Sequence, residues 1–155
     1  VWNYYMNNYN IKCIILRPFN VYGIGQPTKK YSIAGIIEQI VKGDVEIENE
    51  LEKRDYVYIS DVIDALVQAG RCIDRISDVY NIGTGKSYTL PEILNILLKI
   101  SGRNPRIIFG RKFISQIPET RADIGKARRD LNWDPKIDIF TGLSKMWDYY
   151  GRKSK

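Results

Sequence analysis

Residues 11–23 read Ile-Lys-Cys-Ile-Ile-Leu-Arg-Pro-Phe-Asn-Val-Tyr-Gly. The run from Ile11 to Arg17 is apolar and β-branched, the pattern of a strand buried in a parallel sheet, and Pro18 stops it by removing a backbone donor and turning the chain outward. The Pro, Gly and Asn content from Pro18 to Pro27 marks a loop. Open parallel sheets place their ligands at this carboxyl end of a strand.

On the N-terminal side, Trp2, Tyr5, Met6 and Tyr9 fall at helical spacing with no capping residue before them, so the chain reads as starting inside a helix. Truncation explains that; so does a short frayed terminal turn. On the C-terminal side, Ser32 to Lys42 carries a wide apolar face closed by Gly43, and Val45 to Ile47 is a short strand. The charged turn from Glu48 to Lys53 leads to a strand over Tyr56–Ile59, then to a helix capped by Ser60 or Asp61 and reaching about Arg75. Val79 to Ile82 is a strand ended by Gly83-Thr84-Gly85. Thr89 and Glu92 form a capping box for a helix that runs to Ile100 and stops at Gly102. Arg106 to Phe109 is a strand, and helices over Asp123–Leu131 and from Ile139 to about Tyr150 close the chain, separated by a turn at Asn132–Pro135. Alternating strands and helices without internal repeats predict an α/β protein.

Composition narrows the chemistry. The chain has 155 residues, 24 Lys and Arg against 18 Asp and Glu, a formal charge of +6, and 44% apolar residues, the balance of one globular domain. Histidine is absent. That removes Ser-His and Cys-His nucleophile pairs and the usual zinc ligand, so no metal site is expected. Cys13 and Cys72 sit among apolar neighbours and read as buried hydrophobes. No apolar run approaches the roughly 20 residues of a membrane span and no leader opens the chain, so a cytoplasmic location is expected. The positive excess is scattered, a solvated surface rather than a nucleic-acid or membrane face.

Three segments can carry chemistry, each with a plainer reading beside it. Asn20, past the strand end, offers an amide that donates and accepts, or it caps a local turn. Arg54 projects a planar fork suited to a phosphate, or it pairs with Asp55 or a nearby glutamate, and Asp61 is most simply a helix cap. Arg121, just before a helix start, adds positive charge where an anion is already favoured, or it is solvated.

Five segments together resemble the extended short-chain dehydrogenase/reductase family, specifically its nucleotide-sugar epimerases and dehydratases. They are Ile15 to Gln26, Lys53 to Ala65, Tyr80-Asn-Ile-Gly-Thr-Gly85, Ala122-Asp-Ile-Gly-Lys-Ala127 and Leu131-Asn-Trp-Asp-Pro135, in family order over nearly the whole chain. The family's Gly-x-x-Gly-x-x-Gly fingerprint is not in the sequence, nor is its Tyr-x-x-x-Lys pair at the family's position. Tyr149 with Lys153 matches that spacing by coincidence in the C-terminal tail, so no catalytic residue is assigned.

The resemblance therefore implies the C-terminal part of a Rossmann-type parallel sheet interwoven with a small substrate-binding lobe over residues 1–155, the NAD-binding half being absent. It implies that Pro18 and Phe19 lie against the nicotinamide end of NAD and that Asn20 contacts the diphosphate or sugar. Ile33, Val45 and Ile47 fall where the family packs the nucleotide base, with ordinary core packing as the plainer reading. Arg54 and Arg121 fall where the family grips the diphosphate. One departure is local: the family's Gly-rich turn before the phosphate arginine is Glu48-Asn-Glu-Leu-Glu52 here, which brings negative charge toward the anion.

The function implied is the substrate-binding half of an NAD-dependent nucleotide-sugar epimerase, inactive alone, that oxidises and re-reduces the sugar C4, with a UDP-sugar as the favoured partner. A 4,6-dehydratase or UDP-glucuronate decarboxylase shares the same motifs. A non-catalytic sugar-nucleotide-binding module is the alternative of another kind. The family's homodimer forms through the helix that would end near residue 10.

Overall fold

The structure, a computed structural model, describes residues 4, 8–9, 11–30, 32–48, 51–74, 78–110 and 117–152. Most of the N-terminal helical pattern, including Trp2, Tyr5 and Met6, and the reach of the second long helix to Arg75 lie outside the described residues, as does Lys153.

Strand β1 (Ile15–Pro18) is followed by β2 (Asn20–Tyr22), α1 (Ile33–Lys42), β3 (Asp44–Ile47), β4 (Lys53–Tyr58) and α2 (Ile59–Cys72). Then come β5 (Val79–Ile82), β6 (Ser87–Tyr88), α3 (Leu90–Ser101), β7 (Arg106–Phe109), β8 (Glu119–Thr120), α4 (Gly125–Leu131) and α5 (Ile139–Met146), the last running on as a π-helical turn, Trp147–Gly151. The strands form three groups: β1 with β5, β3 with β7, and β2–β4–β6 with β8 added to β4. All pairings are parallel except β4 with β6. Parallel pairs linked through helices are what the α/β alternation predicts.

Two apolar clusters organise these elements. One gathers Ile33, Ile36, Ile37 and Ile40 of α1, Val45 and Ile47 of β3, Leu94 and Leu97 of α3, and Leu143 and Met146 of α5. The other joins Val57, Val62, Ala65, Tyr80, Ile82, Ala127, Leu131 and Trp133, with Leu16 and Phe19 packed against it. Leu16 and Tyr80 are register partners in the β1–β5 pair. Cys72 is buried in the second cluster and Cys13 is half-buried, and neither is in a disulfide.

Local signals decide most element ends. The capping box forms as read: Thr89 Oγ1 accepts from the Glu92 amide at 3.2 Å and Glu92 Oε2 accepts from the Thr89 amide at 2.7 Å. Thr89→Ala should cost about 1 kcal/mol, read as a lowered urea midpoint with unchanged slope.

Several readings differ for tertiary reasons. Strand β1 spans Ile15–Pro18 rather than Ile11–Arg17, with Pro18 paired to Ile82 inside it, and β2 forms within the segment read as a loop because β4 supplies its partners. Strand β4 begins at Lys53 rather than Tyr56, because β6 and β8 supply partners to Lys53, Arg54 and Asp55. Helix α2 starts at Ile59 with Tyr58 at the N-cap and no side-chain cap. Asp61 does not cap its own helix; its buried carboxylate accepts the Lys136 and Ile137 amides at 3.2 and 3.0 Å, fixing the segment before α5. The carbonyl of the same residue accepts the indole N–H of buried Trp133 at 2.9 Å.

Candidate functional site

The register of the central ribbon sorts its side chains. Asn20 lies opposite Tyr56 and Tyr22 opposite Tyr58 in the β2–β4 pair, while Tyr88 and Thr120 lie opposite Arg54. Partners across a ladder share a face and neighbours along a strand alternate. One face of the ribbon therefore carries Asn20, Tyr22, Arg54, Tyr56, Tyr58 and Tyr88, and the other carries Val21, Asp55, Val57 and Ser87.

Asn20 is exposed on the first face, immediately past the end of β1. The loop that follows is pinned by the C-terminal π-helical turn: Tyr150 Oη accepts from the Gly25 amide and donates to the Gln26 carbonyl, both at 2.9 Å. Gly25 takes φ +95°, a conformation that glycine alone adopts readily. Two cavities border the face. One of about 230 Å³ is lined by Tyr56, Thr84, Lys86, Tyr88 and Lys136, the other, of about 290 Å³, by the chain from Val21 to Gln26 and Ile59.

Arg54 is held in place by its surroundings. Its Nη2 pairs with Glu52 Oε2 at 2.6 Å, and its Nη1 donates to the carbonyls of Lys53 and Ile117 at 3.0 and 3.1 Å. The partner is a glutamate from the acidic turn that departs from the family pattern. An anion at this face would meet a guanidinium whose orientation is fixed and whose charge Glu52 already offsets in part.

Arg121 follows the end of β8, one residue past Thr120, which sits opposite Arg54, and it is exposed. Pro18 is exposed at the end of β1, and Phe19 is half-buried against the second cluster, its amide donating to the Ile82 carbonyl at 2.9 Å. Ile33, Val45 and Ile47 are 2%, 0% and 3% exposed. Their surface is used in packing α1 against β3, the plainer of the two readings, and they present none to a base.

Sequence reasoning missed the residue that organises the site. Asp55 is fully buried, and its carboxylate accepts four hydrogen bonds: from the Thr84 amide at 2.8 Å, Thr84 Oγ1 at 2.7 Å, the Gly85 amide at 2.9 Å and the Ala122 amide at 3.0 Å. It ties the strand bearing Arg54 to the Gly83–Gly85 turn and to the segment bearing Arg121. Glycine is required at 83, where a Cβ would lie 2.8 Å from Asp55 Oδ2 and closer still to Ala122. The signal was present in the strand pattern, since a carboxylate alternating with Val57 must be buried, and Gly-Thr-Gly supplies amides for it.

The tyrosines of the ribbon are held protonated. Burial is the leading cause for Tyr22, Tyr56, Tyr58 and Tyr88, and for Tyr80, whose hydroxyl faces Asp130 and is pushed up to about 12. A group whose folded value is raised stabilises the fold fully below its unfolded value and loses that contribution as pH rises through the folded one. Stability should hold up to the ordinary phenol value of 10.0 and fall as pH climbs toward 12. Alkaline unfolding followed in parallel with phenolate absorbance checks this; tyrosines that titrate before the fold is lost would contradict it.

Parallel strand pairs crossing over through helices define a Rossmann-type α/β protein. A family model for the NAD dependent epimerase/dehydratase family matches residues 1–83, and the chain belongs to that family. It is 28% identical to a UDP-glucose 4-epimerase from Mycolicibacterium smegmatis over 99% of this chain and 50% of that protein. In structure it is similar to the UDP-glucose 4-epimerase of Thermotoga maritima solved with UDP-glucose, with TM-score 0.86 at 27% identity over 99% of this chain and 50% of that one. It is equally similar to a UDP-glucuronic acid 4-epimerase from Bacillus cereus in complex with UDP-glucuronic acid and NAD, with TM-score 0.86 at 30% identity over 97% and 49% of the two chains. The match is to the C-terminal part of this extended short-chain dehydrogenase/reductase fold, and the chain spans about half the length of these relatives.

Proposed function

We propose that this chain is the substrate-binding half of a cytoplasmic, NAD-dependent nucleotide-sugar 4-epimerase acting on a UDP-sugar, and that it needs a dinucleotide-binding half for turnover. The observation that carries the reading is the single ribbon face on which the β2–β4 register sets Asn20 and Tyr56 side by side with Arg54 two residues along. An exposed amide beside a half-buried phenol and a half-buried guanidinium on one face suits a diphosphate and its sugar. The similarity to epimerases solved with UDP-glucose and UDP-glucuronic acid supports the same substrate class.

Each residue then has a task. Arg54, oriented by Glu52 and two carbonyls, meets the diphosphate, and Asn20 bonds its oxygens or a sugar hydroxyl. Arg121 adds a more distant positive charge. Pro18 and Phe19, at the carboxyl end of β1, would lie against the nicotinamide end of NAD. Bound in the complete enzyme, NAD would supply reversible hydride acceptance at the sugar C4. The chain alone supplies binding and orientation, since it brings no Tyr-x-x-x-Lys pair to that carbon.

Thermal unfolding with and without ligand tests the reading. UDP-glucose should raise the melting temperature of the chain in a concentration-dependent way, because a ligand that binds only the folded state stabilises it by mass action. NAD alone should not, and a mixture of the two should show no turnover. An unchanged melting temperature with UDP-glucose would contradict the proposal, as would conversion of the sugar by this chain alone.

A further inference from the structure

The loop after β2 is held from the far end of the chain. Tyr150, in the π-helical turn Trp147–Gly151, accepts the Gly25 amide and donates to the Gln26 carbonyl, both at 2.9 Å. A π turn closes i→i+5 and takes in one more residue than an α turn, which rotates its side chains off the faces a continued α-helix would give them. The turn closes with Gly151 against the Trp147 ring, where a Cβ would lie 2.7 Å from a ring carbon, so it depends on glycine there. A second phenol, that of Tyr58, hydrogen-bonds the backbone of Ile24. Two tyrosines thus hold three successive loop residues.

Gln26 carries that hold to Asn20. Its Nε2 donates to the Val21 carbonyl at 3.4 Å, and its Oε1 accepts the Ala34 amide, in the first turn of α1, at 3.3 Å. On the other side, the Phe19 amide donates to the Ile82 carbonyl at 2.9 Å. The residues flanking Asn20 are therefore tied, one to β5 and the other to the loop that Tyr150 holds. We propose that Tyr150 is a positioning residue: through Gln26 it fixes the strand that aims the Asn20 amide at the sugar of a bound nucleotide sugar, while Arg54 takes the diphosphate. The inference rests on the nucleotide-sugar reading above. Asn20 is exposed, so its direction comes from its backbone, and a contact set in place before binding spares the ligand the cost of ordering it.

Titration calorimetry of UDP-glucose and of UDP against the native chain, Tyr150→Phe, Asn20→Ala and the double variant tests this. Phenylalanine keeps the ring beside Tyr149 and removes the hydroxyl alone. The native chain should bind UDP-glucose more tightly than UDP. Tyr150→Phe should weaken UDP-glucose by about twofold to tenfold, the range of one neutral hydrogen bond, and leave UDP unchanged. Gln26→Met, which cuts the next link, should do the same. In an Asn20→Ala background Tyr150→Phe should cost nothing more, because the two act on one contact. Equal weakening of both ligands, or a lowered melting temperature with an unchanged preference for UDP-glucose, would overturn the proposal and leave Tyr150 a staple of the fold. A further loss in the Asn20→Ala background would overturn it too. A native chain that binds UDP but does not prefer UDP-glucose would contradict this inference alone, whereas one that binds neither would also remove the nucleotide-sugar reading.

Discussion

Replacing Asp55 with alanine should remove about 3–5 kcal/mol of stability, the cost typical of losing one side of a buried charged network. Its carboxylate is the acceptor for three backbone amides and one hydroxyl, all drawn from segments far apart in sequence. Without it, Thr84, Gly85 and Ala122 keep buried donors with no acceptor, and each such group costs about 1–3 kcal/mol, not additively. Asp55→Asn keeps one acceptor oxygen but turns an amide N–H₂ toward other donors, so it should fall between alanine and the native residue. Urea denaturation orders the three proteins. An alanine variant within about 1 kcal/mol of the native chain would mean that the turn and the Ala122 segment find other partners or water.

The second large effect concerns binding. Arg54→Ala should weaken UDP binding by about tenfold to a hundredfold, the loss of a charge-assisted contact of about 1.5–3 kcal/mol. Glu52 makes a companion prediction in the opposite direction. It holds the guanidinium at 2.6 Å and offsets its charge, so Glu52→Gln should preserve a hydrogen-bond acceptor while removing the competing negative charge. UDP affinity should then rise severalfold, with the gain shrinking at high salt. Arg121→Ala should cost less than Arg54→Ala, because Arg121 lies past the end of β8 and is exposed, whereas Arg54 is half-buried within β4. Equal losses for the two arginines would show that the segment after β8 brings Arg121 round to the same anion.

The elements that local chemistry determines were legible in the sequence. The Thr89–Glu92 capping box and the glycine closures at Gly43 and Gly102 appear as read, since each depends on residues within one turn of itself, whereas β1 is shorter than its apolar run and keeps Pro18 inside the strand. What could not be read from local pattern depends on partners distant in the chain. Asp61 looked like a helix cap because Asp before an apolar run usually is one, yet its acceptors serve amides 75 and 76 residues away. Asp55 looked like a surface partner for Arg54, because adjacency in sequence hides that neighbours on a strand face opposite ways. Arg54 and Arg121 looked equivalent in sequence, but Arg54 lies within β4 and Arg121 past the end of β8. Of the two readings open for Ile33, Val45 and Ile47, the structure shows the core packing.

Titration calorimetry of UDP against the native chain and Arg54→Ala, with no NAD present, tests the nucleotide-sugar face most directly. Saturable one-to-one binding that weakens by about tenfold or more in the variant, with both free proteins folded at the temperature of titration, is the result expected. No heat of binding to the native chain, or an affinity that Arg54→Ala leaves untouched, would contradict it, and would make the guanidinium on this ribbon a structural partner of Glu52 alone.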